Sequence, residues 1–128
     1  YEFNREITDS QWKAQVYRCM RRIPTLEEPS RKRGVVDLYD VSDDWLPIYD
    51  STRIKGYYMA IGSSGNQFKN APIAGHCMAE LIEACEKGQN HDEDPVQVKT
   101  VYTGLTLNMG FYSRNREINP NSSFSVNG

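Results

Sequence analysis

The sequence is short of most features that would mark a specialised class. Among its 128 residues no apolar run approaches the roughly 20 needed to cross a bilayer, and mean hydropathy is −0.68. A basic excess is missing: 15 Lys+Arg stand against 17 Asp+Glu, for a net charge of −2. That balance, without aromatic–basic interleaving, excludes a general binder of nucleic acid or of acidic membranes. The three cysteines, Cys19, Cys77 and Cys85, form no CxxC and no even set, which excludes a disulfide framework. His76 and His91 are the only histidines, and neither belongs to an HExxH or to a Cys/His cluster with metal spacing. GxGxxG and GxxxxGK[ST] are absent, and the order Gly62-Ser63-Ser64-Gly65 does not centre a serine as a nucleophile elbow requires. The opening Tyr1-Glu2-Phe3-Asn4-Arg5-Glu6 carries charges of both signs and no apolar core, unlike a signal peptide. It also lacks an initiator Met, so we expect a processed chain or a piece of a longer one.

What is present is a set of local signals for one modest mixed domain, long enough to bury roughly two-thirds of its unfolded surface. Asp9 to Ile23 reads as a helix. Thr8 and Gln11 fit a capping box, each side chain bonding the other's backbone N–H, and Ile7 and Trp12 fit a hydrophobic staple. Trp12, Val16, Cys19, Met20 and Ile23 recur at helical spacing, and Pro24 ends the run. The clusters Arg21-Arg22 and Arg31-Lys32-Arg33 read as a solvated face. Val35 to Val41 is expected as a strand, Ser42-Asp43-Asp44 as a turn, and Trp45 to Ile48 as an extended, partly buried segment. Asp37, Asp40, Asp43 and Asp44 lack calcium-loop spacing and belong to turn chemistry.

The most informative stretch is Gly56 to Pro72. Tyr57 to Ile61 is a continuous apolar run, the pattern of a strand buried on both faces. A loop with two glycines follows. A helix then begins near Asn70, carries Pro72 in its first turn, passes Ile73, Cys77, Leu81 and Cys85, and stops at Gly88. Cys77 and Cys85 share a face two turns apart, too far to bridge, and read as small core residues in a reducing compartment. A glycine loop entering a helix lets a ligand approach backbone closely, and the helix start offers unpaired N–H groups with about half a unit of positive charge. Beyond Gly88 the chain is polar to Pro95, then of mixed extended character from Val96 to Phe111. From Ser113 to Ser123 it reads as an irregular tail, in which the sequon Asn121-Ser122-Ser123 is taken as chance.

Gly56 to Ile82, G-Y-Y-M-A-I-G-S-S-G-N-Q-F-K-N-A-P-I-A-G-H-C-M-A-E-L-I, closely resembles the C-terminal flavin-contacting segment of the D-amino-acid-oxidase-like FAD-dependent oxidoreductases, the group of glycine oxidase and monomeric sarcosine oxidase. Arg33 to Ile48 resembles the segment that precedes it there. The resemblance is specific from Arg33 to Gly88 and covers only the last part of such an enzyme. It implies oxidation of the C–N bond of an amine or amino acid, with a hydride equivalent passing to flavin N5. It implies FAD contacts from Gly62, Ser64, Gly65, Asn66, Gln67, Phe68 and Lys69, with loop amides facing N1 and C2=O of the flavin. There a helix N-terminus stabilises the negative charge of the reduced ring by up to ~2 kcal/mol. Lys69 matches the position that binds the substrate carboxylate. No cysteine occupies Val36-Asp37-Leu38-Tyr39, where sarcosine-oxidase-like members attach flavin, so noncovalent FAD is expected. Asn66-Gln67 replace a more common His-Gly.

The expected fold class is therefore α/β, α+β as a fragment: the C-terminal piece of an FAD-binding Rossmann-like domain with part of the substrate domain's sheet. Residues 1–50 would supply a substrate-domain helix and strand, 51–88 the last strand, loop and helix of the FAD domain, and 89–128 the tail. The expected partners are a small amine or amino-acid substrate and the missing N-terminal FAD-binding part of the same cytoplasmic enzyme, with no nucleic acid and no membrane. Alone, with the five side chains of Tyr57–Ile61 half-exposed, the chain would forgo about 5–8 kcal/mol. That approaches the whole stability of a small domain, roughly 5–15 kcal/mol, so it is expected to be marginal, aggregation-prone and unable to retain FAD. The alternative is a non-catalytic stand-alone module on the same scaffold, using Arg114, Arg116 and the tail for protein contacts.

Overall fold

The structure, a computed structural model, describes residues 2–122. Contacts divide the chain into two units, Tyr1–Leu38 and Tyr39–Gly128. The first is built on one helix, α1 (Asp9–Arg22), whose last turn closes when the Ile23 amide donates to the Cys19 carbonyl at 2.8 Å. Half of the expected capping box forms. Thr8 Oγ1 accepts from the Gln11 amide at 3.3 Å, but the Gln11 side chain meets the Thr8 hydroxyl at 3.1 Å rather than the Thr8 amide. None of residues 2–38 is buried; Trp12, Val16 and Met20 are only half-covered. The following coil is tied to the helix by a Lys32–Asp9 ion pair of 2.6 Å and by the Tyr17 hydroxyl donating to Glu28 at 3.3 Å.

The expected strand from Val35 to Val41 does not form. Val35 is 88% exposed, and no described strand lies beside this segment. Residues with β propensity make a strand only against a ladder partner or a packed face, and these have neither.

The second unit is α+β. Strands β1 (Ile48–Ser51) and β2 (Tyr58–Ile61) pair antiparallel, with Ile48 opposite Ile61 and Ser51 opposite Tyr58. A 3₁₀ turn at Phe68–Asn70 leads into α2 (Ala71–Glu86). A second antiparallel hairpin joins β3 (Gln97–Lys99) to β4 (Thr106–Asn108), and another 3₁₀ turn covers Met109–Tyr112. Both described sheets are antiparallel pairs, so a Rossmann-like assignment rests on the resemblance alone. α2 keeps close to its expected bounds. Pro72 lies in its first turn, where a missing N–H costs little, and Gly88 follows its end at φ 99°, its amide donating to the Cys85 carbonyl at 2.9 Å.

The core joins Cys77 and Leu81 of α2 to Tyr49 of β1, Val96, Val98 of β3 and Met109. β2 departs from expectation. It is not buried on both faces: Tyr58 and Met59 are half-buried, Ala60 is exposed and Ile61 is 50% exposed. Its described ladder has β1 on one side only, and Tyr58 packs against the core while its hydroxyl donates to Glu86 at 2.7 Å. That bond to a carboxylate holds the Tyr58 phenol up at about 12.

The tail is irregular, as expected, yet it is built into the fold. Asp50, fully buried in β1, takes the Ser113 hydroxyl at 2.9 Å, the Arg114 amide at 2.7 Å and the Arg114 guanidinium at 2.9 Å. Asp44, equally buried, receives Arg116 through Nε at 2.8 Å and Nη2 at 2.6 Å, the two-pronged geometry that favours arginine over lysine. The last residue of the sequon and the rest of the tail, residues 123–128, lie outside the described residues.

The Arg116 guanidinium, with smaller help from the Leu46 amide and the Ser42 hydroxyl, lowers the Asp44 carboxyl from 3.8 to about 2, against the opposing effect of burial. A carboxyl that is more acidic when folded contributes stability above its unfolded pKa and loses it as pH falls through the folded one. We expect this group alone to cost roughly 2–3 kcal/mol of unfolding free energy between about pH 5 and pH 2. In urea titrations, Arg116→Ala should remove most of that pH dependence and cost about 3–5 kcal/mol at pH 7.

Candidate functional site

The loop from Ile61 to Asn70 sits between β2 and α2, and its course depends on left-handed backbone. Gly62 (φ 68°) and Gly65 (φ 71°) adopt that region freely, while Ser64 (φ 48°) is a buried non-glycine residue held there. A Cβ at Gly62 would lie 3.2 Å from the Cβ of Ser42, so both conformation and space call for glycine.

Asp40 holds Ser64 and its neighbours in place. Its Oδ2 accepts the Gly62 amide in a short bond and the Ser63 amide at 3.1 Å, and its Oδ1 takes the Ser63 hydroxyl at 2.6 Å. The Ser64 amide donates to the Asp40 carbonyl at 2.8 Å. The Ser63 hydroxyl, helped by the two amides, keeps the Asp40 carboxyl below its usual range. The first half of the loop thus already wraps an anion, and that anion is the chain's own carboxylate. Sequence reading placed Asp40 only in turn chemistry; its spacing to the glycine loop gave no sign of the contact.

The second half faces outward. Phe68 is 97% exposed, Gly65 and Lys69 are exposed, and Asn66 and Gln67 are half-buried. The amides of Gly65 and Gln67 donate to no described group. Asn70, at the N-cap of α2, makes no side-chain capping bond; the Ala71 amide instead donates to the Phe68 carbonyl and Pro72 has no N–H, so the helix start contributes its dipole rather than a set of free donors. Lys69 Nζ donates to the Asn66 carbonyl at 2.8 Å, one loop residue binding another. Of the seven residues expected at the flavin, Gly62 and Ser64 therefore face Asp40 through their amides. Gly65, Asn66, Phe68 and Lys69 make the open side, to which Gln67 adds only its backbone, its side chain turning inward to Tyr49 and Asn70.

Two further clusters bury charged or titratable side chains in the second unit. His91 is buried; its Nδ1 accepts the Val96 amide at 3.1 Å, which assigns the ring proton to Nε2. Nε2 lies 3.6 Å from Asp50 and is, among the described residues, a buried side-chain atom without a hydrogen bond. Arg114 bridges Asp50 to Asp92 at 2.5 Å, and Arg116 is absorbed by Asp44, so the two arginines an interaction module would use make their contacts inside the chain. The neighbouring thiol of Cys85 is pushed up by burial and by Asp50, Glu86 and Asp92, which makes it a poor nucleophile. Among the described residues no group of three or more His, Cys, Asp or Glu side chains could hold a metal ion, and no helix is long and apolar enough to cross a membrane.

No family model, curated protein or solved structure matches this chain.

The Asp40 contacts make a direct expectation. Asp40→Ala should raise hydrogen exchange at the Gly62, Ser63 and Ser64 amides by at least about tenfold while leaving Val98, in β3, unchanged. Equal protection before and after would show that the carboxylate does not hold the loop.

Proposed function

We propose that this chain is the C-terminal, flavin-side part of a cytoplasmic FAD-dependent oxidoreductase that oxidises the C–N bond of an amine or amino acid. Beyond the resemblance of Gly56–Ile82, the observation that supports this reading is the outward half of the loop, Gly65–Lys69. It brings the Gly65 and Gln67 amides, which donate to no described group, together with a lysine at the N-terminal end of α2. That donor set suits the electron-rich N1 and C2=O edge of an isoalloxazine, whose negative charge grows on reduction. FAD, held noncovalently, would supply the hydride acceptor at N5.

Each residue has a separate task in this reading. Gly65, Asn66, Gln67 and Phe68 hold the ring edge through their backbone, while the Gln67 side chain stays turned to Tyr49 and Asn70. Gly62 and Ser64 act one step back: fixed by Asp40, they set the left-handed path that aims the backbone of the next five residues outward. Lys69 exchanges a neutral carbonyl, that of Asn66, for the carboxylate of the substrate, a charge-assisted bond of about 1.5–3 kcal/mol. The ADP half of FAD needs a GxGxxG unit from the missing N-terminal part.

Two measurements test the reading. The open reading frame upstream of Tyr1 is expected to encode, towards its own start, a strand followed by GxGxxG; an upstream open reading frame without that motif contradicts the enzyme reading. In the complete enzyme, Lys69→Met should raise KM roughly 10- to 150-fold for substrates that carry a carboxylate and leave amines without one nearly unchanged. Equal effects on both classes would remove Lys69 from carboxylate binding.

A further inference from the structure

A cavity of about 210 Å³ opens in the second unit beside α2. It is lined by Tyr49 and Cys77, both buried, by the half-buried Ala74, Leu107 and Tyr112, by Ile73, which is 38% exposed, and by the side chains of Gln67 and Asn70. The rings of Tyr49 and Tyr112 lie 5.3 Å apart, tilted by 44°. An apolar cavity of about 150 Å³ is large enough to hold benzene, so this one has room for a ring with one or two small substituents. Its lining carries no Lys, Arg, Asp, Glu or His, so an ion seated there would give up part of its hydration without meeting an opposite charge. Polar character is confined to one group of side chains. Gln67 Oε1 accepts from the Tyr49 hydroxyl at 3.3 Å and from Asn70 Nδ2 at 3.0 Å, which fixes both amides. Asn70 Oδ1 and the Tyr112 hydroxyl engage no described group, leaving one acceptor and one donor. Burial pushes the Tyr112 phenol up, so it stays a donor at neutral pH.

We infer that this cavity is a binding site for a small neutral aromatic molecule bearing one hydrogen-bonding group, such as a phenol or a primary aromatic amide. The inference goes beyond the flavin reading and does not depend on it. The test uses 4-methylphenol and benzamide, titrated into the full chain while NMR follows Ile73, Leu107 and Tyr112, with 4-methylbenzoate and benzylammonium as charged counterparts. Saturable shifts centred on those three residues are expected for the neutral probes, with binding at least about tenfold weaker for the charged ones. Ala74→Leu, which fills the cavity, should abolish the shifts; should that variant not fold, the selectivity of the unaltered chain decides. Absence of saturation, equal affinity for the charged probes, or shifts as large at the exposed Tyr102 and Phe68 would overturn the assignment.

Discussion

Two buried carboxylates organise the second unit. Asp44 and Asp50 lie at either end of a seven-residue stretch that enters and forms β1, and each is clasped by an arginine from a tail with no regular structure of its own. Burying such charges is unfavourable unless every oxygen finds a donor, and here the donors are guanidinium groups, backbone amides and the Ser113 hydroxyl. The tail therefore acts as a belt over β1. The same turn that places Asp44 also holds Trp45 in left-handed backbone (φ 61°), a conformation a bulky residue adopts only when its surroundings over-determine it. The Leu46 amide bonded to Asp44, and the Leu46 carbonyl bonded to Ser42 and Arg116, supply that constraint.

A similar use of carboxylate appears in the glycine loop. Strand, loop and helix N-terminus form the kind of backbone nest that binds anions, and Asp40 occupies its inner half. Only the outer half, from Gly65, presents donors to the surroundings. This division gives the flavin reading a sharper form than a loop that touches cofactor throughout: one half fixes the path, the other offers the contact.

What was legible in the sequence follows the range of the interactions involved. α1 and α2 could be read because caps, Pro72, Gly88 and the 3.6-residue stripe are local signals. The glycine loop after Ile61 was legible for the same reason, whereas its left-handed course through Gly62, Ser64 and Gly65 was not read. Val35–Val41 failed because strand propensity has no force without a neighbour, and neighbours are decided far along the chain. The burial of β2 was overread: a continuous apolar run reports what could be covered, whereas Ile61 is half-exposed with a single described partner strand. Asp40, Asp50 and His91 were missed as structural centres because each finds its partners across long separations, and no local pattern marks an aspartate that will be buried. Arg114 and Arg116, which only the alternative module reading put to use in protein contacts, are held inward by Asp50 and Asp44.

The belt over β1 is tested most directly by a double-mutant cycle on Asp50 and Arg114, using Asp50→Ala, Arg114→Ala and the double variant in equilibrium urea unfolding. A coupling energy above about 1.5 kcal/mol is expected for a buried, hydrogen-bonded pair of this kind. Additive effects, within about 0.5 kcal/mol, would mean that the two side chains act independently and that the tail is not what holds the strand.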